Sequence, residues 1–460
     1  MGWLSKFSRR RGASAPAAAD RKAPERLAAD VPLLPLRARK APRTPDFPRF
    51  QSTASDQASS HQNDPATTAR MRFRAAFTPS QPVVDRRMFA GRGEVLTSMI
   101  RSIEDQRLHT VIYGVRGIGK TSMLHVLSQA ARDARYIVTY VSCGASSNLD
   151  ETFRAIAGNI PLLFHSQFDP TTSEAETGAT LKDLLGPQPV TVRVASDLLA
   201  RIVGTRVLII LDEFDRCELA EFRYNIAELM KNLSDRSVRV QFIIAGVAAN
   251  LDELVEHIPS IQRNVYALQV PPMGPAELRD LVRNGEDLSG LTFTDDAVRA
   301  IVRAANGLPY IASLLSHHAG LAAIDAGETE VRIDDVKIAL AEALAEFNGR
   351  LSRRAQNHIS ESLDKSSIEL LCALAESAQK AGGFFSLEVL REKLSNPANV
   401  TRCIEIIERL EAREILVQRV EDEFGLRHRF IEEGVPTYLW LLSEQSRLSV
   451  SRERAPATRA

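Results

Sequence analysis

The sequence predicts an α/β fold: a five-stranded parallel sheet, then a helical region, then a small unit of helices and strands. Short apolar runs alternate with amphipathic helical stretches from Phe89 to about Pro271. Runs such as VLIIL are apolar at every position, which is typical of parallel strands covered on both faces. After Pro271 helical periodicity takes over, so we expect no further strands before about residue 350.

Five strands and four helices are expected in the α/β region. The strands are 109–113, 136–142, 206–211, 238–245 and 265–270, and the helices lie near 120–133, 149–158, 191–203 and 217–232. Residues 160–190 contain four prolines and two glycines, which indicates a long loop or insertion.

Composition divides the 460-residue chain into a basic tail and an acidic body. Residues 1–75 hold 15 Lys or Arg and six Asp or Glu, a net charge of +9, so the neutral chain carries −9 elsewhere. The tail is rich in Ala, Pro, Arg and Ser without sustained periodicity, and we expect it to be disordered. Its basic charge is compatible with binding to nucleic acid, an acidic lipid or an acidic partner, and equally with a solvated linker. The domains predicted after it are an α/β core over 76–272, a helical lid over 273–350, a winged-helix-like unit over 366–442 and a flexible tail over 443–460.

The C-terminal unit has the element order of a winged helix. Helices are expected over 366–377, 387–394 and 401–413, followed by two strands that flank a charged turn at 421–423. Residues 366–450 contain 10 Lys or Arg against 14 Asp or Glu, and the segment 401–414 mixes three arginines with four glutamates. A duplex-DNA interface is normally basic. Binding of duplex DNA and docking to a protein partner therefore both remain open.

The four cysteines are scattered, and no histidines stand at metal-ligand spacing. A disulfide framework or zinc site is not expected, and a reducing cytoplasm fits this usage. No apolar run is long enough to span a membrane. We therefore expect a cytoplasmic protein.

The strongest motif is GVRGIGKTS, Gly114–Ser122, which matches the G-x-x-x-x-G-K-[ST] phosphate-binding loop, or Walker A motif. It follows the apolar strand HTVIY and precedes the helix that begins TSMLHV, the context that this motif requires. Glycines let main-chain N–H groups approach phosphate oxygens closely, and the helix N-terminus adds partial positive charge. We expect nucleotide contacts from Gly114, Gly117, Ile118, Gly119, Lys120, Thr121 and Ser122.

A second motif, VLIILDEFDR, places Asp212 and Glu213 at the end of a buried strand. Ligands of open α/β sheets bind at this edge. The Thr121 hydroxyl and Asp212 are predicted to hold Mg²⁺, with Asp212 usually acting through a water, and Glu213 is predicted to polarise the water that attacks the γ-phosphate. Lys120 is expected to neutralise the β- and γ-phosphates of ATP. Asp215 and Arg216 continue the turn, either near the site, at a subunit contact or as surface residues.

Two further segments connect these motifs to a known family. FAGRGEVL, Phe89–Leu96, resembles the box that precedes the phosphate-binding loop in AAA+ ATPases related to replication initiators, and in neighbouring archaeal and STAND ATPases. ANGLPYIASLL, with Gly307, Leu308 and Pro309, resembles the G-x-P motif of the helical lid in STAND-like members. The resemblance covers roughly residues 85–345 and, more loosely, the winged helix.

This resemblance implies a five-stranded parallel P-loop NTPase core, a lid that closes over the nucleotide, and assembly into a homo-oligomer on ATP binding. It implies base contacts from Phe89, Gly91 and Arg92, and a lid contact from Pro309. Arg263 stands where initiator-like members carry an arginine that acts on the nucleotide of a neighbouring subunit.

The chain departs from the AAA+ pattern in two places. The strand that ends IIAGVA lacks the polar residue that often orients the attacking water, and Asn250 is the nearest candidate. The lid has no sensor arginine at the expected helix start. Both departures favour slow, partner-regulated hydrolysis. Two functions remain open: an ATP-dependent switch that acts on DNA, and a STAND-like signalling or defence ATPase that acts through protein partners.

Overall fold

The computed structural model describes residues 70, 72–74, 76–83, 86–168, 178–248, 251, 254, 259–394, 396–413, 416–422 and 425–453. Most of the predicted disordered tail, 1–75, therefore lies outside the described residues. At its end, residues 70 and 72–74 are helical, and Phe73 is fully buried against Gly320. The expected boundary at residue 75 is wrong here, because Phe73 and Phe77, one helical turn apart, both pack their rings into the lid.

A five-stranded parallel sheet forms the centre of the α/β region, in the order β2-β3-β4-β1-β5. The strands are β1 His109–Tyr113, β2 Ile137–Ser142, β3 Val207–Asp212, β4 Val240–Gly246 and β5 Val265–Gln269. All five predicted strands are confirmed. Only β4 lies between β1 and β3, so the segments that follow β1 and β3 leave the same edge of the sheet close together.

Helices cover both faces of this sheet. They are α1 Gly93–Glu104, α2 Lys120–Asp133, α3 Leu149–Ala157, α4 Val192–Leu199 and α5 Ala220–Asp235. Leu208 and Ile210 of β3 pack with α2, whereas Ile209 and Leu211 pack with α3 to α5. The alternation explains why the strand is apolar at every position. In the predicted insertion, the described residues form two short 3₁₀ turns, Leu162–Phe164 and Leu181–Leu184.

The predicted helical lid consists of α6 Pro275–Ser289, α7 Asp295–Ala305, α8 Pro309–Asp325 and α9 Ile333–Arg350. It also contains a parallel pair of two-residue strands, β6 Thr292–Phe293 and β7 Glu330–Val331. The expectation of no strands after Pro271 is wrong at this pair. The segments before α7 and α9 run side by side, and Thr294 N donates to Val331 O over 3.0 Å.

The C-terminal unit follows α10 Arg353–Asn357 and contains the three helices and the two-stranded hairpin that the sequence predicts. Its elements are α11 Lys365–Lys380, β8 Phe384–Phe385, α12 Leu387–Lys393, α13 Pro397–Ala412, β9 Val417–Asp422, β10 Gly425–Phe430 and α14 Gly434–Glu453. The strands form a three-stranded sheet in the order β8-β10-β9. A flexible tail from 443 is wrong as far as 453, because α14 continues there and buries Glu444 and Leu448.

No helix in the part of the chain that the structure describes combines the length and apolar character needed to cross a membrane.

Candidate functional site

The loop between β1 and α2 has the backbone geometry of a phosphate-binding loop. Gly114, Gly117 and Gly119 have φ values of 149°, 77° and 94°, which side chains rarely adopt. At Gly117 a Cβ atom would lie 3.2 Å from Cβ of Tyr310 on the lid. The helix begins at Lys120 directly after the last glycine, so its free N–H groups point into the loop.

Lys120 is folded into this loop. Its Nζ donates hydrogen bonds to the main-chain oxygens of Gly114, at 2.8 Å, and Val115, at 3.1 Å. Burial lowers the pKa of Lys120 to about 8, while the carboxylates of Asp215, Asp212 and Glu433 act in the opposite direction. Among the described residues, the hydrogen-bond acceptors of this desolvated amine are two main-chain carbonyl groups, which a phosphate can replace.

Asp212 meets Thr121 at the carboxyl edge of the sheet. Thr121 Oγ1 donates to Asp212 Oδ2 over 2.9 Å, and the hydroxyl of Tyr140 on β2 donates to the same oxygen over 2.5 Å. The other oxygen, Oδ1, accepts the main-chain N–H of Glu213 at 2.8 Å. Asp212 is buried, so these donors compensate for a carboxylate removed from water.

Glu213 turns away from β3 into a different environment. Its φ of 54° places it in the left-handed region, at the start of a short 3₁₀ turn. Its Oε2 accepts hydrogen bonds from Ser142 Oγ and Arg216 NH1, both at 2.9 Å. Asp215 instead accepts the main-chain N–H of Val247, at 2.8 Å, and thereby connects this turn to the end of β4.

The segment Phe89–Arg92 braces the phosphate-binding loop against the lid. Arg92 is buried, and it donates to the main-chain oxygens of Ile118, at 2.5 Å, and Pro271, at 3.0 Å. Burial lowers the pKa of Arg92 to about 10. Gly91 lies against Glu277, and a Cβ atom there would stand 2.5 Å from Cβ of Glu277. Arg92 therefore donates hydrogen bonds to main-chain carbonyl groups, whereas the family resemblance implies a contact with the nucleotide base.

A cavity of about 530 Å³ lies where these elements meet, within the usual size range of ligand sites. Most of the predicted site residues line it, on the loop, the strand end and the lid. These are Phe89, Arg92, Gly117, Gly119, Lys120, Thr121, Ser122, Asp212, Glu213 and Pro309.

Four predicted or candidate residues among those that the structure describes do not line the cavity. Gly91 packs against Glu277, Gly114 lies close to the main-chain oxygen of Val270, and Ile118 O accepts a hydrogen bond from Arg92. Arg263 is exposed on the 3₁₀ turn Pro259–Asn264, and it is not among the described residues that line the cavity of the same chain. Asn250 lies outside the described residues.

Sequence reasoning missed several residues at the cavity. Tyr310 and Arg116 line it, as does Glu433, which comes from the turn between β10 and α14. Residues 78–83 form another part of the wall, and Val83 N donates to Ser122 Oγ at 3.0 Å. The LPY sequence after Gly307 could have indicated Tyr310. Glu433 had no sequence signal, because only tertiary folding brings it to the loop.

The residues present fit magnesium and a nucleotide. Hydroxyl and carboxylate oxygens are the ligands that Mg²⁺ prefers, and Thr121 and Asp212 place one of each in contact. The loop N–H groups and Lys120 supply donors for a polyphosphate. Apolar side chains that include Phe89, Met88 and Met273 line another part of the cavity.

Comparison with protein families agrees with this site. The profile of the family described as novel STAND NTPase 1 matches residues 76–453, which is most of the chain. The chain belongs to the novel STAND NTPase 1 family. The expected STAND resemblance is thereby confirmed, and membership identifies the chain as a P-loop NTPase, a class that binds nucleotide with a divalent metal and has ATPase activity in general.

Solved structures also show likeness to this chain. Cdc6p from Pyrobaculum aerophilum is 15% identical, with 83% of this chain and 99% of that chain covered, at a TM-score of 0.45. Orc1 from Aeropyrum pernix in complex with DNA is 16% identical, with 83% and 98% covered, at 0.42. The RuvB branch migration motor from Thermotoga maritima is 16% identical, with 75% and 93% covered, at 0.39. Comparison with curated proteins gives no match.

Proposed function

We propose that this STAND NTPase is a switch that binds and slowly hydrolyses Mg-ATP, and that its nucleotide state controls assembly with further copies of the chain. The observation that carries the proposal is Glu433, because a residue of the winged helix lines the same cavity as Lys120. A carboxylate at this place repels an added γ-phosphate. ATP is therefore expected to loosen the winged helix, which ADP leaves in place.

The lid supplies the second link between nucleotide and winged helix. Pro309 begins α8 beside the phosphate-binding loop, and Asn306 stands three residues before it, in the turn between α7 and α8. Asn306 Nδ2 donates to Gln379 Oε1 on α11 over 2.9 Å, in a buried contact. On α14, Trp440 Nε1 donates to Ala304 O over 2.8 Å. A lid movement that follows the phosphates would thus act directly on the winged helix.

We assign each chemical role in this proposal to a named residue. Lys120 and the loop N–H groups bind the phosphates, and Thr121 with Asp212 holds Mg²⁺, which supplies charge neutralisation at the phosphoryl group. Glu213 accepts a proton from the attacking water. Arg263, exposed on its turn, stabilises the transferring phosphoryl group of a neighbouring subunit. The assembled state therefore contains a complete site, whereas a single copy does not.

Arg216 is proposed to keep hydrolysis slow by holding Glu213. Both side chains are substantially exposed, so their 2.9 Å ion pair contributes at most ~1 kcal/mol. Arg216→Ala is expected to raise steady-state ATP turnover a few-fold, because the Glu213 carboxylate loses a competing partner. Arg236→Ala is the matched control. Arg236, at the end of α5, forms a comparable exposed ion pair with Asp197 on α4. A fall in turnover would instead make Arg216 part of the catalytic machinery.

The winged helix favours a protein partner over duplex DNA. The exposed residues of α13 alternate in sign, with Arg402 and Arg409 beside Glu405 and Glu408. Arg427 and Arg429 on β10 are half-buried, and their guanidinium carbons lie 4.5 and 5.0 Å from the Phe384 ring centre. In the described part of this face, exposed arginines are interspersed with glutamates, whereas phosphate contacts require a surface that is basic throughout.

Mass measurement of the full chain tests the switch. Light scattering is expected to give a multiple of the chain mass with a non-hydrolysable ATP analogue, and a single chain with ADP or without nucleotide. Arg263→Ala should lose ATPase activity in the assembled state while it retains nucleotide binding, and Arg279→Ala, an exposed residue on α6, is its control. One mass under all three conditions would refute nucleotide-dependent assembly. Assembly that requires added duplex DNA would favour a DNA-associated switch.

A further inference from the structure

Tyr140 lies on β2, the neighbour of the strand that carries the acidic residues. In the parallel register Tyr140 is paired with Ile210, and Ser142 with Asp212. The tyrosine side chain is long enough to pass along the sheet to the strand end, where its hydroxyl donates to Asp212 Oδ2 over 2.5 Å. A residue inside the strand thus reaches the same carboxylate as the phosphate-binding loop.

The Asp212 carboxylate is fully oriented by three donors. Oδ2 accepts from Thr121 and Tyr140, and Oδ1 accepts the main-chain N–H of Glu213. A carboxylate has about four lone-pair sites, so three donors determine its plane and leave a direction open at Oδ1. Without Tyr140, the remaining donors are the adjacent main-chain group and the Thr121 hydroxyl, which is itself predicted to bind the metal.

The tyrosine ring is itself held in place. His125 on α2 stacks against it, with ring centroids 5.1 Å apart and an angle of 12° between the planes. His125 lies one helical turn after Thr121, so the same helix supplies a predicted metal ligand and the support for Tyr140. The hydroxyl therefore has little freedom to leave the carboxylate.

We propose that Tyr140 is a positioning residue for magnesium: it fixes the Asp212 carboxylate in the orientation that serves a metal bound to the phosphates. This inference rests on the proposed Mg-ATP function. A partner of this kind that orients a metal ligand commonly changes metal affinity by about 10–100-fold. Tyr140 is not among the described residues that line the cavity, so we expect its effect to be confined to the metal.

The test measures how strongly magnesium and nucleotide support each other's binding. The affinity for a fluorescent ATP analogue is measured with Mg²⁺ and with EDTA, and Mn²⁺ binding to the nucleotide complex is followed by electron paramagnetic resonance. For Tyr140→Phe we expect an unchanged affinity in EDTA, about tenfold weaker Mn²⁺ binding, and a correspondingly smaller gain from Mg²⁺. Tyr136→Phe is the matched control, because Tyr136 precedes the same strand at its opposite end.

The outcomes separate this inference from the function on which it rests. A wild-type chain that binds no nucleotide would refute the proposed function. A wild-type chain with magnesium-dependent binding, together with an unchanged metal affinity in Tyr140→Phe, would refute the role of Tyr140 alone. Tighter metal binding in the variant would also refute it, since the hydroxyl would then compete with the metal. Equal losses in EDTA and in Mg²⁺ would likewise refute it, because the effect of Tyr140 would then not be specific to the metal.

Discussion

Replacement of Lys120 by Ala is expected to abolish measurable ATP binding. Lys120 is 9% exposed, and its amine lies within a loop that presents no other lysine to the cavity among the described residues. Hydrogen bonds to charged groups contribute about 1.5–3 kcal/mol each, so loss of the contacts to two phosphates lowers the affinity at least ~100-fold. Isothermal titration calorimetry of the wild-type and variant chains with Mg-ATP measures this loss.

Thermal unfolding supplies the control for this variant. The Lys120 amine is hydrogen-bonded to main-chain carbonyl groups, so we expect its removal to leave the unfolding temperature of the nucleotide-free chain nearly unchanged. ATP raises the unfolding temperature of the wild-type chain, and we expect this rise to disappear in the variant. Lys337→Ala on α9, which removes an ion pair with Asp334 away from the cavity, should retain that rise. Wild-type ATP affinity in Lys120→Ala would refute the assignment of this loop.

Glu213→Gln is expected to separate binding from hydrolysis. The amide has the size of the carboxylate and can still accept a hydrogen bond from Ser142, but it is a very poor base. General base catalysis contributes typically 10²–10⁴-fold, so turnover should fall about 100-fold or more. ATP affinity should change little, and an assembled state should persist because its ATP is not consumed.

Phosphate release and light scattering on the same sample check this result. Glu218→Gln is the matched control, since Glu218 is exposed and stands five residues further along the chain. Unchanged phosphate release in Glu213→Gln would remove Glu213 from its catalytic role. Loss of ATP binding in that variant would mean that the carboxylate acts in binding.

The phosphate-binding loop and the acidic strand end could be predicted because their chemistry is local. Gly114 to Thr121 have the G-x-x-x-x-G-K-[ST] spacing of a phosphate-binding loop. The strand before this loop and the helix after it can be recognised from their hydrophobic patterns. The continuous apolar run before Asp212 likewise marks a buried strand. The contact between Thr121 and Asp212 then follows from the rule that ligands bind at the carboxyl ends of parallel strands.

Residues whose role depends on tertiary packing could not be predicted. Tyr140 in its strand and Glu433 in its turn have ordinary sequence contexts, and only the strand order and the position of the winged helix bring them to the cavity. Composition, which averages over a segment, places Phe73 in the basic tail. Its burial depends on the absence of a side chain at Gly320, which leaves room for the Phe73 ring. The continuation of α14 beyond residue 443 similarly depends on the pairing of Glu444 with Arg303.

The family box shows a third case, in which the motif is right but the contacts differ from those expected. Phe89 lines the cavity as expected, whereas Gly91 packs against Glu277 and Arg92 binds main-chain oxygens. A motif conveys which residues occupy a region. It does not convey which of them face the ligand and which hold the loop in shape.

A crystal structure of the full chain with Mg²⁺ and a non-hydrolysable ATP analogue tests the central claim most directly. We expect the β- and γ-phosphates within hydrogen-bonding distance of Lys120 Nζ, with the metal on Thr121 Oγ1 and a water between it and Asp212. A nucleotide bound elsewhere, or a metal that contacts neither Thr121 nor the Asp212 side of the cavity, would contradict the account.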